Sequence, residues 1–380
     1  MLWDDIGGQV TASPPLRKLL QLAGSGAGRF GITGACESGK ALAVSALFSE
    51  NKRTILWLVP TPEEAERQRD NLAALLGEEA VRHWACWEIL PGEEREPDEE
   101  LVGSRMECLQ AMASGRPVIV VASARSLLQN TLSRGMFERL TLRLSLGQRI
   151  DRDQLPEQLV RSGFERQPAV AGIGDFAVRG SIIDIAGFGP PEPVRLELDE
   201  DDRIASLRHF SLADQRSTTR LEAAVILPGK EADPKGSPLP AHLPEDALVC
   251  WDEPGESLAG FEEVAEELET FGRDARYGLF ADCRPMLESR RMVLMTSGAG
   301  FGVADLPQPE EAVRIPVRPV EPFMSNLKLL RERLEKLRSD GVRTLVLTDT
   351  PGQMERMREI LDGFGPGFSQ GLQQIGRAHV

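Results

Sequence analysis

The sequence predicts an α/β protein: a doubly wound parallel sheet, interrupted by a small α+β domain and followed by the start of another small α/β domain. Three observations carry that expectation. Short apolar runs at 54–59 (TILWLV), 117–122 (PVIVVA) and 247–252 (ALVCWD) have the character of parallel strands covered by helices on both faces. Between the second and third, residues 163–215 change to alternation, with Phe176 and Val178 set against Ala177 and Arg179, and Val194, Leu196 and Leu198 against Arg195 and Glu197. That period of two belongs to an antiparallel sheet with one covered face. After about residue 223 the apolar runs return, so the first domain is expected to resume beyond the interruption.

In chain order, residues 28–41 (GRFGITGACESGKA) run strand, glycine loop, helix, the order of a phosphate-binding loop. Gly34, Gly39 and Lys40 stand at its places, but Ala41 replaces the hydroxyl that holds Mg²⁺, and Glu37 puts a carboxylate among amides that should face phosphate. The expectation is therefore a vestigial loop, a βα turn that kept its glycines, without nucleotide hydrolysis. The run at 54–59 leads into Thr61, Pro62, Glu63 and Glu64, a capping box with Pro in the first turn. A helix is expected to follow the strand at 117–122 from about Ser123. Residues 1–139 thus read as the first part of the large domain.

From residue 140 to 222 the small domain is expected, with its helix at 151–162. Gly180 and Ser181 break one strand from the next, and the acidic turn 199–202 reverses the chain before 204–208. The Pro- and Gly-rich stretch 228–244 reads as a surface loop. The strand at 247–252 ends in Asp252 and Glu253, an acidic pair where a Walker B motif would hold Mg²⁺; with Ala41 in the loop the pair is vestigial too. Residues 223–315 form the second part of the large domain in this reading. From 316 a third piece begins, with a charged helix at 326–339 and a βα unit at 343–353, and it runs to about 374. Residues 375–380 (IGRAHV) match the translation of a common sequencing-adapter string and are expected to be a non-native tail. The string 373–379 also resembles a helicase Q-x-x-G-R-x-x-R signature, a reading rejected because Val380 stands where its last Arg belongs.

Of the 380 residues, 41% are hydrophobic and 27% charged, which are globular values. Met1-Leu2-Trp3-Asp4-Asp5 has neither the basic start nor the apolar core of a signal peptide, and no apolar run approaches a membrane span, so a cytoplasmic protein is expected. Five scattered cysteines and four histidines argue against a disulfide framework or a zinc site. A net charge of −15 argues against an extensive contact with DNA phosphates.

The strings GFER (163–166), GDFAVRGSIIDI (174–185), RLEL (195–198), DDRIASLR (201–208) and DQRS (214–217) resemble, in order and spacing, the UvrB interaction domain. That domain is shared by the UvrB excinuclease proteins and the bacterial transcription-repair coupling factors. Residues 84–109 (WACWEILPGEEREPDEELVGSRMECL) are similar to the coupling factors' D-W-E-x-L-P-Y…S-R-x-x-x-L run. The UvrB proteins usually carry Arg where this chain has Ala177, and a Tyr-rich hairpin where it has the acidic piece 91–100, so the coupling factors are the better match. The resemblance implies a degenerate RecA-like large domain and a small domain that binds UvrA, with Arg166, Phe176 and Arg179 on matching positions. It implies that RNA polymerase and DNA are met through C-terminal domains beyond this chain, and that ATP and Mg²⁺ belong to the motor there, leaving no cofactor here. In the resembling factors the UvrA surface is masked at rest by the C-terminal end, so this chain is expected to bind UvrA without polymerase or ATP. Two rivals remain: an ATP-dependent repair protein of the UvrB type, and an α/β fragment whose partner surface has decayed, suggested by Ala186 where the family usually has Phe.

Overall fold

A computed structural model describes residues 2–26, 28–189, 192–231, 236–301, 306, 308–317, 326–342, 344 and 351–365. The strands in chain order are β1 (Arg29–Thr33), β2 (Ile55–Val59), β3 (Val81–Trp84), β4 (Ile119–Ser123), β5 (Leu142–Ser145), β6 (Glu165–Arg166), β7 (Asp175–Arg179), β8 (Ile182–Ile185), β9 (Val194–Leu198), β10 (Ile204–Phe210), β11 (Ser217–Arg220), β12 (Ala223–Ile226), β13 (Leu248–Asp252), β14 (Arg291–Thr296) and β15 (Glu311–Arg314).

A seven-stranded sheet takes the order β15-β1-β14-β13-β2-β4-β3, and its pairings are parallel. Strands β1 to β4 precede the small domain and β13 to β15 follow it, so one sheet is assembled from two separated stretches. Every residue of β2, β4 and β13 is buried, because helices cover both faces of the sheet. The helix Pro62–Leu76 starts where its cap signal stands: the Thr61 hydroxyl accepts from the Glu64 backbone N–H at 3.3 Å, with Pro62 in the first turn.

The small domain is a second sheet, ordered β11-β10-β9-β8-β7-β6, antiparallel except where β6 runs parallel to β7. Its helix is Gln154–Arg161, shorter than 151–162 because the Asp151 carboxylate accepts from the backbone of Asp153 and Gln154 and makes a turn first. The chain enters through β5 and leaves through β12, which pair with each other as a two-stranded stem. That pairing puts Ala223–Ile226 on the small domain's side of the junction, whereas apolarity alone grouped it with the resuming large domain. Among the described residues, the third piece contributes the helices Leu327–Ser339 and Pro351–Gly363; the Asn326 side chain caps the first by accepting from the Leu329 N–H. The strand expected at 345–347, the helicase-like string at 373–379 and the tail at 375–380 lie outside the described residues. No described helix is long and apolar enough to cross a membrane.

Two large clusters of buried side chains fill the molecule, one on each face of the seven-stranded sheet. One holds Phe30, Ile32, Val44, Leu47, Trp57, Val121, Cys250 and Val293. The other holds Leu58, Trp84, Val120, Trp251 and Leu294 and continues without a break through Val102 and Met106 of the helix Glu99–Ala113 into Phe176, Ile183, Ile185, Leu196 and Leu207. The small domain is therefore seated on the large one through shared core. Two glycines allow the close approach. A Cβ on Gly103 would stand 3.2 Å from the backbone N of Gly189, and one on Gly229 would overlap the Phe188 ring.

Candidate functional site

Two groupings of chemically capable side chains stand out: the glycine loop after β1 and the outer face of the small sheet. Strands β1, β14 and β13 are neighbours, so the loop after β1, Thr296 at the end of β14, and Asp252 at the end of β13 with Glu253 after it meet at their carboxyl ends, where open α/β sheets bind ligands. Here the chain closes the place on itself. Lys40 Nζ donates to Asp252 Oδ1 at 2.5 Å and to Glu253 Oε1 at 2.7 Å. Glu253 also accepts from the Thr296 hydroxyl at 2.9 Å and the Ser297 backbone N–H at 2.6 Å. To reach them its backbone takes the left-handed region, φ 37°, uncommon away from glycine.

Burial opposes charge on Lys40, yet Asp252 and Glu253 outweigh it and raise its pKa. Burial pushes the Asp252 carboxyl up to about 7, with Lys40 pulling against it and Glu253 and Glu64 pushing the same way. Burial also opposes charge on Glu253, but the bonds from Lys40 and Ser297 prevail and lower it. The loop's other side is occupied as well. Ile315 donates its backbone N–H to the Thr33 carbonyl at 2.9 Å, and a Cβ on Gly39 would lie 2.8 Å from Val317 Cγ2. Gly34, at φ 71°, donates its N–H to the Gly298 carbonyl at 3.1 Å. Ala41 is buried. Lys40 and Gly34, which stand at phosphate-cradling places, thus bond to carboxylates and a carbonyl of this chain.

The small sheet has a covered and an open face. Phe176, Ile183, Leu196 and Leu207 face the core, so their alternates face out. Register places Ala177, Asp184, Arg195, Arg208 and Arg220 level with one another across β7 to β11. Asp184 is wholly buried beneath two arginines. Its Oδ1 accepts from Arg195 Nε at 2.6 Å, and its Oδ2 from Arg195 Nη2 at 2.9 Å and from Arg179 Nη2. This two-pronged bond raises the Arg195 pKa. Arg195 reaches on through Nη1 to the Gln215 carbonyl at 3.0 Å and lies over the Phe210 ring, 4.6 Å from its centroid.

Arg179 is 46% exposed beside this anchor and keeps donors free for another carboxylate. Phe176 is fully buried, so it supports β7 from below without lying at the surface. Arg166 is exposed on the edge strand β6, level with Phe176; alternation sets it on the other side of the sheet from Arg179, and the two arginines are not brought together. Ala186 is buried with Val170, Ala177 and Phe210 in a small apolar cluster on the open face. Asp184, Arg195, Arg208 and Arg220 were not singled out from the sequence. Their signal was present as Arg at outward positions of successive strands, but it acquires meaning only with register.

Residues 142–231 match the family model of the UvrB interaction domain. Over 200 residues, 53% of this chain and 17% of the relative, the sequence is 30% identical to a transcription-repair-coupling factor of Bacillus subtilis. It is 35% identical to that of Mycobacterium tuberculosis over 57% of this chain and 18% of the relative. It is 27% identical to that of Escherichia coli over 50% and 16%. The chain thus resembles transcription-repair coupling factors over about half its length, while spanning less than a fifth of theirs, and it carries the domain the sequence motifs indicated.

Proposed function

We propose that this chain is the N-terminal, UvrB-like part of a transcription-repair coupling factor, acting in the cytoplasm as the module that brings UvrA of nucleotide excision repair to a stalled RNA polymerase. In this reading polymerase contact, DNA contact and ATP-driven translocation, with its ATP and Mg²⁺, belong to the parent protein's other domains, and this part works by binding without a cofactor. The observation that carries the proposal is the Arg179–Asp184–Arg195 cluster on the open face of the domain that matches the UvrB interaction family. An oriented guanidinium fork with free donors suits a carboxylate on a protein partner. The reading as a UvrB-type excinuclease protein is less favoured, because the relatives above carry the coupling-factor name and Lys40 is bound to Asp252 and Glu253.

The test is calorimetric titration of the chain with UvrA. Arg179→Glu would place a carboxylate against buried Asp184 and endanger the fold, so Arg179→Gln is the variant of choice. Binding without polymerase or ATP is expected, weakened at least tenfold in Arg179→Gln with an unchanged melt, since losing one partner of a desolvated charge pair costs about 2–5 kcal/mol. No binding by the unaltered chain, or equal binding by a well-folded Arg179→Gln, overturns the proposal.

A further inference from the structure

The open face does not end at Arg195. Arg208 stands directly opposite Arg195 on one side and Arg220 on the other, and like charges placed opposite each other destabilise a sheet. Among the described residues no carboxylate lies within ion-pair distance of Arg208 or Arg220, and Arg208 Nε is sheltered from solvent without a hydrogen-bond partner, an unmet donor. Arg195 itself is committed internally to Asp184 and the Gln215 carbonyl. In a chain of net charge −15, this is a local reversal of sign that the fold does not need.

Beside the pair lies a notch of about 380 Å³ lined by Glu192, Pro193, Phe210, Leu212, Ala213 and Thr218. Phe210 is two residues beyond Arg208 on β10, and Thr218 two before Arg220 on β11, so notch and arginines are one step apart, roughly 7 Å along the strands. The wall is built rather than loose. Gln215, at φ 61°, donates from Nε2 to the Val170 carbonyl at 3.1 Å and to the Leu212 carbonyl at 3.2 Å, and the Ser211 N–H bonds the Arg216 carbonyl at 2.9 Å. Two carboxylates also border this face: Glu192 on the rim, 3.7 Å from His209 Nδ1, and Glu197, exposed two residues from Arg195. Neither contacts the arginine pair.

We propose that this second half of the face is a specificity site: it takes an acidic segment of the partner, its carboxylates on Arg208 and Arg220 and one bulky apolar side chain in the Pro193–Phe210–Leu212 notch. The inference rests on the reading above that this domain binds UvrA, and it adds which chemistry of the partner is recognised. Charge complementarity decides the occupant, since unpaired arginines beside an apolar seat fit an acidic, apolar-anchored protein segment.

The experiment titrates the chain with UvrA by calorimetry, using Arg208→Gln, Arg220→Gln and Leu212→Asp. Arg161→Gln, on the exposed helix face, is the charge control, and each variant is melted. Arg208→Gln and Arg220→Gln are each expected to weaken binding about tenfold and to flatten its salt dependence; Leu212→Asp should weaken it similarly, and Arg161→Gln should leave it within about twofold. If Leu212→Asp lowers the melt, Leu212→Ser replaces it. Unchanged binding in the Arg208, Arg220 and Leu212 variants, with Arg179→Gln still weakened, overturns this site and leaves the functional reading intact; no binding by the unaltered chain overturns that reading itself. Duplex DNA held at physiological salt and released by Arg208→Gln would make the ligand a nucleic acid and overturn the protein-segment proposal.

Discussion

Replacing Lys40 with Met tests whether the glycine loop after β1 is part of the fold's own framework. The Lys40 side chain is 6% exposed, and the carboxylates it joins, Asp252 and Glu253, are 5% and 18% exposed. Removing the cation leaves both without their shared counter-charge, and breaking a buried ion pair from one side costs about 3–5 kcal/mol. An unfolding entropy of about 2.1 cal/mol/K per residue over 380 residues gives about 1.3 °C per kcal/mol, so the melt should fall by about 4–6 °C. The loss should also depend on pH. The Asp252 carboxyl, already raised to about 7 by burial, rises further once the lysine's pull is gone. A raised carboxyl favours the fold below its unfolded pKa, and that advantage is lost as pH climbs through the folded value. Lys40 in the unaltered protein is raised and stays charged throughout. The gap between the two melts should therefore widen from pH 6 to pH 8. Circular dichroism melts across that range measure it, and adding Asp252→Asn to Lys40→Met should recover much of the loss at pH 8. A Lys40→Met melt within about 2 °C of the unaltered protein at pH 8 would refute the reasoning.

Two further outcomes follow from buried groups. Arg105 is wholly buried, its guanidinium 3.9 Å from the Trp84 ring centroid and 4.3 Å from that of Trp87, and it donates to Glu231 at 2.5 Å and to the Gln129 carbonyl at 3.0 Å. Arg105→Met should cost about 3–5 kcal/mol in a urea melt and be partly rescued by Glu231→Gln; because burial already raises Glu231, the loss should be smaller at pH 5 than at pH 8, and equal losses would count against it. Mg-ATP should not bind tightly, since Ala41 offers no metal ligand and Val317 packs against Gly39; saturable, Lys40-dependent displacement of a fluorescent ATP analogue at micromolar concentration would show otherwise.

The sequence by itself determined the class of fold and the order of its parts, because apolar runs and period-two alternation are local consequences of which faces are buried. The apolar runs supply the wholly buried strands Ile55–Val59, Ile119–Ser123 and Leu248–Asp252 of the seven-stranded sheet, and Phe176 and Arg179 fall on opposite faces as their spacing requires. Missing chemistry was equally local: Ala41 lacks a hydroxyl in any fold. Arg105 was legible only as a letter in the S-R-x-x-x-L run, since its partner Glu231 lies 126 residues away. Lys40 looked like an unused phosphate ligand until the sheet, with β14 between β1 and β13, carried Asp252 and Glu253 to it from 212 and 213 residues along the chain. The row of Asp184, Arg195, Arg208 and Arg220 depends on register across four strands, and a slip of one residue in any of them would send its side chain to the other face. Charge pairing and register are properties of strands brought together from distant sequence, and only the tertiary structure decides them.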